Sequence, residues 1–151
     1  MENTTPYTEI FELFLRKARD PVFLEMHHAL AEEDLLSLLN EAVMEFQYPK
    51  VDLYDKDDNE QIFHNKLTLN EIYILANIMV WKWSEGLLRD IDGLSYDMTP
   101  EEMRTTSKAN HINSLMRFEK HLEASVQRQQ NEYSRRERNQ PLFDQLGGDG
   151  Q

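Results

Sequence analysis

The sequence predicts a mainly α protein: a bundle of about four helices, with a loop or small hairpin at 50–66 and an extended C-terminal tail. Three observations carry this. Apolar residues recur at helical spacing in four separate stretches, and two of those stretches open with a capping box. Only one stretch, Lys50 to Lys66, combines β-prone residues with dense turn formers. At 151 residues a single domain is expected, divided as a bundle over 1–133 and a tail over 134–151.

The first helix is read from Thr5-Pro6, with Thr5 as cap and Pro6 at the first helical position. Tyr7, Ile10, Phe11, Phe14, Leu15 and Ala18 then form one apolar face, ending near Arg19. Asp20-Pro21 restarts the chain in a short turn or helix through Leu24. The second helix spans about Glu32 to Phe46, its face made by Leu35, Leu36, Leu38, Leu39, Ala42, Val43 and Phe46, and Tyr48-Pro49 ends it.

Thr68-Leu69-Asn70-Glu71 is a capping box that opens the third helix. From Ile72 to Ile91 its apolar residues nearly encircle it, which marks either the central helix of the bundle or one packed on neighbours on two sides. Asp92-Gly93 is its expected end. The fourth helix opens at Thr99-Pro100-Glu101-Glu102, a cap, a first-position proline and a second box together. Its buried side is read from Met103 through Ala109, His111, Ile112, Leu115, Met116, Phe118 and Leu122 to Val126. From Gln127 to Glu132 every residue is polar, so the helix either frays there or projects from its own core towards a partner.

Composition excludes several functions. There is no cysteine, hence no disulfide, thiolate metal site or cysteine nucleophile. The first residues do not read as a signal peptide, and the most apolar run, Ile72 to Trp83, falls short of the roughly 18–20 residues a membrane span needs. Net charge is −12 and uneven: residues 1–60 hold 15 acids and 5 bases, residues 61–133 hold 10 and 8, and residues 134–151 hold 3 and 3. Such a body repels a phosphate backbone.

No motif directs chemistry. Asp55-x-Asp57-x-Asn59 matches the opening of a calcium loop, but Glu60 stands where glycine is needed and Lys66 where the bidentate glutamate belongs. His27, His28, His64, His111 and His121 make no zinc spacing, and His111 reads as a core histidine. No phosphate loop or nucleophile elbow occurs. The expectation is a protein that is not an enzyme, with no cofactor and no metal.

What remains points to partners. Trp81 and Trp83 stand about 200° apart on a helix, so at most one faces the core fully. The other is either an interface anchor or packed with its neighbour under the 50–66 loop. Arg135, Arg136 and Arg138 form the only basic cluster, which either meets an acidic neighbour or nucleic acid, or is simply a solvated helix end. Pro141 introduces Leu142, Phe143 and Leu146, a short apolar motif that either docks in a partner's groove or folds back on its own bundle.

Three blocks, Leu38-Leu39-Asn40-Glu41-Ala42-Val43-Met44-Glu45-Phe46-Gln47-Tyr48-Pro49, the stretch from Leu67 to Trp83, and Thr106-Ser107-Lys108-Ala109-Asn110-His111-Ile112, give a helical pattern over about 30–135 that resembles head–tail connector (adaptor, neck) proteins of tailed bacteriophages of Gram-positive hosts. The resemblance implies a structural virion protein at the head–tail junction, assembled in the bacterial cytoplasm. It implies a homo-oligomeric ring of about twelve copies, a portal protein above, the next neck or tail protein below, and DNA only as passing cargo. No membrane contact is implied. Other readings stand beside it: another phage neck, tail or baseplate component, a small acidic regulator binding a host protein, or an enzyme or metal protein using the 52–60 acids and nearby histidines.

Overall fold

The computed structural model describes residues 3–19, 31–95 and 107–148, with side chains over 3–19, 31–90, 110 and 112–136. In chain order the elements are β1 (Thr5–Pro6), α1 (Tyr7–Lys17), α2 (Glu32–Glu45), β2 (Lys56–Asp57), β3 (Ile62–Phe63), α3 (Leu69–Ser95) and α4 (Ser107–Gly148). The mainly helical expectation holds, and so does a small hairpin inside 50–66. Among the described residues no helix is long and apolar enough to cross a membrane.

α3 is the hub. α1, α2 and α4 each pack on it, which is why its apolar residues run almost all the way round: Ile72, Ile74, Leu75, Ile78, Met79, Val80, Trp83 and Leu87 are buried. α1 contributes Tyr7, Ile10, Phe11 and Phe14, and α2 contributes Leu39, Ala42 and Val43. Leu15, expected on the buried face of α1, is exposed, as is Met116 on α4.

The start of α3 is built as the sequence implies. Glu71 N–H donates to Thr68 Oγ1, and Thr68 N–H donates to Glu71 Oε1 at 2.8 Å. Its end differs, since the helix passes through Gly93 to Ser95. α2 has only half a box: Ala31 has no side-chain acceptor, but its N–H donates to Asp34 Oδ2 at 3.0 Å. The turn after Asp20-Pro21 and the start at Thr99-Pro100 lie outside the described residues.

Thr5 does not cap α1. Thr5 and Pro6 form an edge strand of a three-stranded sheet of order β1-β3-β2, paired antiparallel with Phe63 and Ile62. Proline lacks an N–H and suits such an edge. The Thr5 hydroxyl is fully buried and spent on the chain beyond β3: it donates to the Asn65 carbonyl at 3.0 Å and accepts the Leu67 N–H at 2.8 Å. Tyr7 then bridges sheet and bundle, its ring 5.0 Å from Phe63 and 6.0 Å from Phe11.

Candidate assembly surfaces

α4 is tied to the rest of the molecule by a line of polar contacts. Trp81 donates its indole N–H to Glu119 at 3.0 Å, Asn77 donates to Gln129 at 2.7 Å, and Tyr133 donates to Glu71 Oε2 at 2.9 Å. As positions climb along α4 they fall along α3, so the two helices are antiparallel and Tyr133 is level with the first turn of α3. The Tyr133 hydroxyl also accepts the Lys50 N–H at 2.8 Å, and Gln130 Oε1 accepts the Gln47 N–H. The loop after α2 is thus fastened to α4 on both sides of Tyr48-Pro49.

The helix does not fray after Val126. Gln130 and Tyr133 are buried and continue its inner stripe at i+4 and i+7 from Val126. Beyond Tyr133 the backbone stays helical to Gly148, where the sequence reads as a tail. Those 15 residues add about 22 Å of helix past the level at which α3 begins. Arg135 and Arg136 are exposed at its root. The side chains of Arg138, Pro141, Leu142, Phe143 and Leu146 lie outside the described residues.

The two tryptophans divide as their spacing implies. Trp83 is buried, edge-on to Phe14 with ring centroids 5.8 Å apart. Trp81 is half-buried, its N–H held by Glu119 and its ring covered by Lys82 Nζ at 4.3 Å. Trp81 leans on α4 through its bond to Glu119. Burial works against the Lys82 charge, but Glu45 and Glu85, at 3.2 and 3.3 Å, outweigh it and hold its pKa up.

The acidic loop is occupied with its own backbone. Asp57 accepts the N–H groups of Asn59 and Glu60, and Asp52 accepts that of Tyr54. Asp55 meets His64 Nδ1 at 2.8 Å. Asp58 accepts from Lys56 Nζ at 2.6 Å and from the Tyr7 hydroxyl at 2.7 Å, and these bonds hold its carboxyl below the usual range. Among the described residues no group of three His, Asp or Glu side chains could hold a metal. His121 is exposed; the His111 side chain and both His27 and His28 lie outside the described residues.

Three surface features escaped the sequence reading. Tyr48 has a left-handed backbone, φ 54°, and an 83% exposed side chain between the two anchors on α4. Met44 on α2 is 73% exposed. On α4, Met116 joins Asn113, Arg117 and Lys120 in a shallow depression. No family model matches this chain, and neither curated proteins nor solved structures give a match.

Proposed function

We propose that this chain is a structural building block of a phage neck, a head–tail connector that sits below the portal as a ring and passes DNA through its lumen. The observation that carries the reading is the overrun of α4. A helix whose inner contacts reach the first turn of its partner at Tyr133, and which then continues for 15 residues, offers a long arm to a neighbour. The arm begins with Arg135 and Arg136 and carries Leu142, Phe143 and Leu146 in sequence, a basic root followed by an apolar end. An acidic, −12 chain suits a passage that must not grip DNA.

The test is truncation. Removing residues 137–151 is expected to leave helicity and melting temperature unchanged while abolishing co-migration with the portal protein of the same phage. Full-length chain that ignores the portal at every concentration overturns the reading and favours an acidic regulator of a host protein. A truncated chain that no longer folds places the arm in the core and overturns the docking argument.

A further inference from the structure

The geometry points to a binding site for a small organic anion, a carboxylate on an apolar body, in the groove where α1, α3 and α4 meet. The site stands apart from the assembly reading above and does not rest on it.

The groove has a volume of about 290 Å³, at the small end of ligand pockets. Val80 of α3 with Phe118, Leu122 and Val126 of α4 make its apolar wall. Lys17 of α1 and His121 of α4 are its only ionisable lining groups, and no carboxylate lines it. In a chain where acids outnumber bases 28 to 16, a lining with bases alone is out of proportion. An anion entering it meets no repulsion from the wall.

Lys17 is half-buried and has no carboxylate partner among the described residues. Its ammonium lies 5.5 Å from the centre of the Tyr73 ring instead. One turn back along α1 stand Leu13 and Phe14, so the preceding turn of its own helix offers no acid. Burial pulls its pKa below the ordinary lysine value, as expected of a charge that has lost water without gaining a counter-ion. Across the groove, buried Asn77 donates to Gln129 Oε1 at 2.7 Å, which leaves the amide N–H groups of Gln129 as further donors on the lining. Beside the groove on α4, Arg128 and Glu132 are both exposed, one of each sign four residues apart, so Lys17 sets the sign within.

The apolar wall decides the class of anion. Inorganic phosphate would pair with Lys17 but leave Phe118 and Leu122 wet, whereas a carboxylate carrying one ring or a short alkyl chain serves both.

The experiment is calorimetric titration of the full chain with phenylpropionate, with phenylpropanol as the uncharged probe and inorganic phosphate as the anion without a body. Phenylpropionate is expected to bind about tenfold or more tighter than either. Lys17→Met keeps the stem and removes the charge, so it is expected to lose that tenfold for phenylpropionate and to leave phenylpropanol unchanged. Arg128→Met, beside the groove, is expected to bind phenylpropionate like the parent. Circular dichroism reports whether both variants fold; if Lys17→Met does not, the three probes on the parent chain decide alone. A parent that takes up no phenylpropionate at millimolar concentration, or binds the alcohol or phosphate as well, overturns the site. So does a folded Lys17→Met that binds like the parent, or an Arg128→Met that loses as much as Lys17→Met. None of these outcomes bears on portal binding, which tests the connector reading separately.

Discussion

The Tyr133 hydroxyl joins Glu71 to Lys50: it donates to the buried Glu71 carboxylate at 2.9 Å and accepts the Lys50 N–H at 2.8 Å. The other oxygen of Glu71 closes the capping box with Thr68. One phenol thus ties the start of α3, the loop after α2 and the last inward turn of α4, while its ring stands edge-on to Phe46 with centroids 5.2 Å apart.

Replacing Tyr133 with Phe keeps the ring and removes the hydroxyl. Glu71 Oε2 and the Lys50 N–H then lose a buried partner, at a cost of about 1–3 kcal/mol. Tyr133→Ala adds the loss of the ring and is expected to cost about 3–5 kcal/mol. Denaturant unfolding measures both, and a Phe variant as stable as the parent would show that water replaces the hydroxyl.

Thr5 offers a second test, because one hydroxyl both donates and accepts. Thr5→Val keeps the shape and leaves the Leu67 N–H and the Asn65 carbonyl without it. A loss of about 1–3 kcal/mol is expected, with Thr5→Ser restoring most of it. Equal stabilities of the Val and Ser variants would refute the role assigned to the hydroxyl.

Alkaline pH is expected to loosen the sheet end. Burial, together with the hydrogen bond to Asp58, raises the Tyr7 pKa above its ordinary value. A folded pKa raised above the unfolded one means the stabilisation is complete below about pH 10 and is lost as pH rises further. Melting temperature should therefore fall more steeply above pH 10 in the parent than in Tyr7→Phe. Superimposable alkaline profiles would count against it.

The tryptophans should separate in size of effect. Trp83→Ala opens a cavity beside Phe14 and is expected to cost about 3–5 kcal/mol. Trp81→Phe removes one half-buried hydrogen bond to Glu119 and is expected to cost about 1 kcal/mol. The reverse order, measured by urea unfolding, would move the packing centre from α1–α3 to α3–α4.

Signals that act within a few residues were legible in the sequence. The Thr68–Glu71 box, the α1 and α2 faces and the encircled α3 all follow from helical spacing. Strand β1 was not legible, because Thr5-Pro6 carries a local capping pattern while its actual partners lie near Phe63. Pairing across that separation leaves no local trace. The inner stripe of α4 was hidden for another reason: Gln130 is buried by hydrogen bonding to Gln47, and a polar buried residue looks like a break in an apolar pattern. At the candidate surfaces, Arg135 and Arg136 are exposed. The depression at Met116 needed the structure, since helical spacing alone puts Met116 on the buried side whereas it is exposed.

The sheet also orders events in folding. Its central strand β3 bonds β2 a few residues away, but β1 lies 58 positions back from Phe63 to Thr5. Closing so long a loop costs entropy that a two-residue strand does not recover alone, so β1 seats only once α1 already rests on α3. The N-terminal residues are then the last to be secured and the first to let go. Amide exchange at Tyr7, whose N–H is held by the Gln61 carbonyl at 2.8 Å, should outpace that of α3.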